Sequence, residues 1–268
     1  MTDYILEISF DADAEERVQS ALFLANSTGS VETPSGLDAY FDSAADRDAA
    51  MALLRDLDLY AYEREREDWL ARYEQSLEPL LIGKRFVVAP DARLIPAGTA
   101  RHALVVPQEQ AFGTGSHETT SLCIELLESM DLAGKRGLDV GAGSGILALA
   151  MLRLGAAKVV AFDNDVDAYG ALRDNRARNG VDAARLPLFI GSVEALRGGR
   201  FDVVTMNIIP EVIVPLLGKI TSHAAHTLIL SGILIDRAAE VIAACTSHGL
   251  RLVEAREKGE WWAGSFTA

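Results

Sequence analysis

"GLDVGAGSGILALA", residues 137–150, sets an apolar strand, a loop with three glycines and an apolar helix end to end. The strand runs out at Val140, Gly141, Gly143 and Gly145 carry the turn, and the helix begins at Ile146 without a spacer. Glycines at such a turn permit positive φ and let the backbone approach a ligand with no Cβ in the way. The helix N-terminus that follows favours an anion, either a carboxylate or a phosphate. The next strand, "KVVAFDND" at residues 158–165, closes at Asp163. A carboxylate at that tip can accept two hydrogen bonds from ribose hydroxyls, as in dinucleotide folds. Each such charge-assisted bond is worth roughly 1.5–3 kcal/mol. The alternative role, capping the helix that starts "DVDAYGAL", can be met by Asp165 instead. The pair of features predicts a nucleoside-bearing ligand at the C-terminal edge of a parallel sheet.

Downstream and upstream, helices and apolar strands alternate. "HETTSLCIELLESM" precedes "RGLDV", "GILALAMLRLG" precedes "KVVAF", and "FDVVTMN" leads into "PEVIVPLLGKI". "HTLILSG" is followed by "IDRAAEVIAACTSHG". Continuous apolar strands separated by helices predict a parallel sheet covered on both faces. The C-terminus departs from this rhythm: "LRLVEAREKGEWWAGSF" holds two strands about the turn Lys258-Gly259, an antiparallel hairpin. A Rossmann-like parallel sheet ending in such a hairpin is similar to the class-I S-adenosylmethionine methyltransferase fold. A nicotinamide site uses G-x-G-x-x-G, whereas here the spacing is G-x-G-x-G with Asp139 two positions before the first glycine. D-x-G-x-G-x-G resembles motif I of the class-I methyltransferases, with a nicotinamide oxidoreductase as the alternative.

The fourth strand of that sheet, "FDVVTMNIIP", places Asn207 at its C-terminal end, where ligands bind in open α/β sheets. An amide carbonyl there can accept a hydrogen bond from an amine N–H and aim the nitrogen lone pair at a methyl group. Methyl transfer is an in-line displacement, so holding the acceptor in place supplies much of the rate. A lysine acceptor must also shed its proton, which desolvation favours. The alternative is that Asn207 caps the helix starting at Pro210. "NIIP" also differs from the Asn-Pro-Pro-aromatic signature of many amino methyltransferases.

Residues 1–65 read as strand, helix, strand, strand, helix, strand, the order of a small α+β ferredoxin-like domain. Residues 1–68 hold 17 Asp/Glu against five Arg and no Lys, a net −12 of the chain's −14. Such a surface is either a solvated face or a lure for a basic partner. It disfavours direct contact with nucleic acid. Residues 66–110, broken by Pro79, Pro90, Pro96 and Pro107, read as a linker region with two short strands, "KRFVVAP" and "HALVVP". Residues 111–268 then form the cofactor-binding domain. Cys123 and Cys245 offer neither metal spacing nor a disulfide framework, which predicts a reducing, cytoplasmic setting and no metal. No run approaches the length of an apolar membrane span, and no signal peptide is expected at the N-terminus.

"AFGTGSHETT" at residues 111–120, together with "LDVGAGSGILALAMLRLGA", "FDNDVDA", "DNRARNGV" and "NII", closely resembles the ribosomal protein L-eleven methyltransferases, the PrmA family. The resemblance covers roughly residues 66–268. It implies that S-adenosyl-L-methionine is the cofactor, held by Thr120, Gly141, Gly143, Gly145, Asp163 and Asn207, with Asn207 also bordering the acceptor amine. It implies that Phe112, Gly113, Thr114 and Gly115 form a pliable lid whose closure excludes water. His117 reads as a helix N-terminal residue, and Trp261 and Trp262 as sheet packing. The implied substrate is a basic ribosomal protein, L-eleven, methylated by a monomeric enzyme on lysine side chains and its N-terminal amine, with the acidic first domain supplying recognition. Another amine-bearing substrate and a catalytically silent binding module are the alternatives. "PQEQ" before Ala111 departs from the acidic-Pro-Gly type segment common in the family.

Overall fold

The computed structural model describes residues 2–65, 78–107, 117–196 and 199–267. Phe112, Gly113, Thr114 and Gly115 lie outside them. The chain divides into two compact units, Met1–Ser76 and Leu77–Ala268.

In the first unit the order is β1 (Thr2–Ser9), α1 (Glu15–Leu24), β2 (Gly29–Thr33), β3 (Gly36–Phe41), α2 (Ala44–Leu53) and β4 (Asp58–Glu65). The strands form one antiparallel sheet in the order β2-β3-β1-β4, the ferredoxin-like arrangement. Period-two alternation turns Leu6, Ile8, Leu37, Ala39 and Phe41 toward the helices, where they bury against Val18, Leu22 and Ala50. Ser43 caps α2, its side chain accepting the Asp46 N–H at 3.1 Å.

The second unit opens with a small sheet of β5 (Leu80–Ile82), β6 (Phe86–Ala89) and β7 (His102–Val105). Residues 80–106 are therefore more than the linker expected from their prolines. Ile82, Phe86, Val88, Leu104 and Val106 are buried in the same core as Leu122, Leu147 and Leu172. The prolines keep these strands short, and their apolar side chains still have a core to enter. The Glu128 carboxylate accepts the N–H groups of Lys84 (2.9 Å) and Arg85 (2.7 Å). The Asn179 amide bonds both the N–H and the C=O of Val105, at 2.9 and 2.8 Å.

The main sheet follows, built from β8 (Arg136–Val140), β9 (Lys158–Asp163), β10 (Leu188–Ile190), β11 (Phe201–Asn207), β12 (Ala224–Leu234), β13 (Arg251–Lys258) and β14 (Trp261–Thr267). Its order is β10-β9-β8-β11-β12-β14-β13. The first five strands run parallel, and β14 lies antiparallel between β12 and β13. Alternation sends Val203 and Ile229 to one face and Val204, Met206, Leu228 and Leu230 to the other. The first face is covered by α3 (Glu118–Glu128), α4 (Ile146–Arg153) and α5 (Val166–Arg178), which bury Leu122, Leu147 and Leu172. The second is covered by α6 (Pro210–His223) and α7 (Ala238–Ser247), which bury Ile213, Leu217 and Val241. Strand order reverses between β8 and β11, so the C-terminal ends of these two strands flank the crevice where open α/β sheets bind ligands.

Candidate active site

A groove of about 1600 Å³ opens at that switch point, its wall including Gly141, Gly143, Asp163, Ser192, Asn207 and Trp261. The glycine loop forms one side. Its three glycines take φ of +65°, +52° and +79°, the left-handed region. Only Gly141 and Gly143 face the groove. Gly145 lies beneath the loop as the N-cap of α4, and a Cβ built on it would stand 2.1 Å from Leu172 Cδ1. It therefore serves close packing of α4 and α5.

Asp163 reaches the groove as expected, and it also holds the loop. Its Oδ2 accepts the Gly143 N–H at 2.8 Å and its Oδ1 accepts the Asp165 N–H at 3.0 Å. A carboxylate oxygen has lone pairs beyond those two bonds, so the half-buried carboxylate can still accept from ribose hydroxyls. Asp165 caps α5 by accepting the Asp167 N–H, which leaves the strand tip to Asp163.

Asp139 lies fully buried behind the loop. Its Oδ1 accepts the Thr205 hydroxyl at 2.7 Å and its Oδ2 accepts the Ala148 N–H at 3.1 Å, tying β8 to β11 and to α4. Burial pushes its carboxyl up to about 7 against the opposing pull of those two bonds. An unfolded-chain aspartate titrates near 3.9, so between these values the folded state holds the extra proton. The associated stability is present below about pH 4 and is lost as pH rises through 7. Asp139→Asn is expected to remove that dependence. Denaturant melts at pH 5 and pH 8 should diverge by roughly 2–4 kcal/mol less in the variant than in the parent.

Asn207 is 8% exposed at the end of β11. It does not cap α6, whose N-cap is Ile209 with no side-chain cap bond. Its Nδ2 donates to Thr120 Oγ1 at 3.4 Å, and its Oδ1 has no hydrogen-bond partner among the described residues. A buried carbonyl oxygen without a donor is costly, and this one stands at the groove wall. Thr120 is fully buried and lies behind Asn207, orienting the amide rather than lining the groove. Asn207 pairs in register with Ser231 of β12. The Ser231 hydroxyl in turn lies 3.2 Å from the Thr119 carbonyl and 3.4 Å from that of Trp262. His117 is the N-cap of α3, with Nδ1 2.8 Å from Thr119 Oγ1, in keeping with its structural reading.

Two wall elements escaped the sequence reading. Trp262 packs in the core as expected, but Trp261 lines the groove, its ring meeting His117 edge-on at 4.8 Å between centroids. The loop Gly191–Glu194 after β10 also contributes. Its signal was its place at the C-terminal end of the third parallel strand.

These features fit S-adenosylmethionine: an acidic strand tip for ribose, glycines that leave room at the loop, and a buried carbonyl oxygen awaiting a donor. The strand order, the terminal hairpin and this site together define the fold of the class-I S-adenosylmethionine-dependent methyltransferases. The family described as "Ribosomal protein L11 methyltransferase (PrmA)" matches residues 7–268, and the chain belongs to that family. A relative of that name from Geobacter metallireducens is 40% identical over 197 residues, which is 73% of this chain and 64% of the relative. Another from Azotobacter vinelandii is 39% identical over 231 residues, 83% of this chain and 78% of the relative. The chain thus spans less than two thirds of the first relative's length. A crystal structure of ribosomal protein L11 methylase from Lactobacillus delbrueckii subsp. bulgaricus superposes with a TM-score of 0.65 at 25% identity, covering 70% of this chain and 97% of that one.

Proposed function

We propose that the protein is an N-methyltransferase that moves methyl groups to lysine side chains, and to the α-amine, of the large-subunit ribosomal protein L-eleven. The observation that carries this reading is the unpartnered Asn207 Oδ1 at the groove wall. An amine N–H is the donor it lacks, and accepting that N–H turns the nitrogen lone pair into the groove. With Nδ2 engaged by Thr120 Oγ1 at 3.4 Å, Oδ1 is the end left for the acceptor. Bound S-adenosylmethionine supplies a methyl group made electrophilic by its sulfonium. Gly141, Gly143 and Asp163 hold the cofactor, and Gly145 supports their loop. The buried setting of Asn207 favours the neutral amine. The net −12 of residues 1–68 supports recognition of a basic protein, and the chemistry needs no nucleic acid. None of the described helices is long and apolar enough to cross a membrane. We place the enzyme, as a monomer, in the cytoplasm.

Intact-mass spectrometry tests the proposal. Purified enzyme and S-adenosylmethionine are incubated with recombinant ribosomal protein L-eleven from the same source. The expected result is stepwise addition of CH₂ units, absent with Asp163→Ala. That substitution removes both the ribose acceptor and the clamp on the Gly143 N–H. It should weaken binding of S-adenosylmethionine by roughly 10–100-fold in calorimetric titration. Cofactor binding without any mass addition would reject the substrate and keep the cofactor.

A further inference from the structure

The sheet of the first unit has a second face. Alternation puts Val31, Asp38, Glu7 and Tyr60 there, opposite the face that packs on α1 and α2. Register aligns them in one row across all four strands: Val31 beside Asp38, Asp38 beside Glu7, Glu7 beside Tyr60. The next row holds Tyr40, Ile5 and Tyr62, and Ile5 is completely buried there. The row is open at its ends, where Tyr60 is 64% exposed and Val31 56%, and Glu7 and Asp38 between them are half-buried.

Two carboxylates directly opposite each other on neighbouring strands destabilise a sheet. Neither Glu7 nor Asp38 has an ion-pair partner among the described residues. Some other carboxylates of this unit are partnered. Arg17 bonds Asp56 at 2.7 Å, Arg47 bonds Asp48 at 2.8 Å, and Asn26 and Ser43 bond Asp46. Arg64, on the same face, lies over the Tyr40 ring at 5.8 Å. Glu7 and Asp38 thus stand side by side at the centre of the sheet with no ion-pair partner among the described residues.

We infer that the row Val31–Asp38–Glu7–Tyr60 is the docking strip for a lysine or arginine side chain on the surface of the protein substrate. The inference rests on the reading of that substrate as a basic protein. A cation set between the two carboxylates relieves their repulsion, and its aliphatic stem lies along Val31 and the Tyr60 ring, where burial is favourable and cation–π attraction adds to it. Phosphate-bearing partners are repelled by the same pair.

The double variant Glu7→Gln, Asp38→Asn in the full chain separates this role from a structural one. Removing the repulsion should leave Tm unchanged or raise it. KM for ribosomal protein L-eleven should rise about tenfold, with the larger part of the loss in KM rather than kcat, and its salt dependence should flatten. Asp56→Asn, which breaks a partnered carboxylate, should leave KM within about twofold. Tyr60→Ala should raise KM by several-fold. An unchanged KM in the double variant, with the parent enzyme methylating the protein, would overturn the strip alone. So would tighter binding of a ribosomal RNA fragment than of the protein. Absence of both binding and methylation with the parent enzyme would instead overturn the substrate reading, and the strip with it.

Discussion

Asn207→Ala is expected to lower kcat by roughly 10²–10³ while changing the dissociation constant of S-adenosylmethionine by less than about threefold. The asymmetry follows from where the amide's two ends go. Nδ2 is engaged by Thr120, and Oδ1 has no donor among the described residues. If Oδ1 waits for the acceptor amine, its removal frees that amine to rotate and tumble, a loss felt only when the nitrogen must lie in line with the transferring methyl. If instead Oδ1 waits for the methionine moiety of the cofactor, kcat/KM and cofactor affinity should fall together. The two measurements needed are single-turnover methylation at saturating cofactor and calorimetric titration of S-adenosylmethionine into enzyme alone. Equal losses would move Asn207 from the acceptor to the cofactor. The variant should stay folded, because truncation also removes an orphaned buried oxygen whose presence is itself unfavourable.

How much of this site could be read from the chain depends on how local each feature is. Gly141, Gly143 and Gly145 are adjacent in sequence to the strand and helix they join, so the loop was legible residue by residue. Asp163 was legible because it ends the very next strand. The terminal hairpin was legible from Lys258-Gly259 between two alternating stretches. What escaped depends on distant partners. That Gly145 packs against Leu172 follows from the approach of α5 to α4. That Trp261 lines the groove while Trp262 is buried follows from the phase of β14 against β12, which pairs Leu234 with Trp261 and Ile233 with Trp262. Residues 80–106 read as linker because Pro90, Pro96 and Pro107 dominate the local pattern. The anchors that make them part of the core, Glu128 and Asn179, lie on α3 and just past α5, beyond any local window around the strands they hold. The docking row is the extreme case. Glu7, Val31, Asp38 and Tyr60 share it only through three strand pairings, and no short stretch of sequence contains them.

Gly145→Val should destabilise the second unit by about 2–5 kcal/mol and weaken cofactor binding with it. Two costs combine. A non-glycine residue at φ +79° pays roughly 1–2 kcal/mol for the left-handed conformation. The added Cβ, 2.1 Å from Leu172 Cδ1, must also displace a side chain that is completely buried, an overpacking cost of typically about 1–3 kcal/mol. For a unit of this size the sum corresponds to a fall in Tm of about 4–20 °C. Local relief is blocked on both sides. The Gly145 N–H bonds the Ala142 carbonyl at 2.8 Å, its carbonyl accepts the first turn of α4 from Leu149 at 2.9 Å, and Asn175 pins the preceding carbonyl of Ser144 at 3.0 Å. Displacement must therefore travel back along the loop to Gly143, whose N–H is clamped by Asp163, and so into the wall that holds the cofactor. Gly170→Ala is the control: it sits in α5 less than one turn before Leu172, with open space where its Cβ would stand. There the same glycine chemistry works in reverse, and alanine should stabilise by about 0.4–1 kcal/mol. A Gly145→Val protein with an unchanged Tm but weakened cofactor binding would mean that Leu172 yields without cost, and that Gly145 acts by letting the ligand approach the backbone.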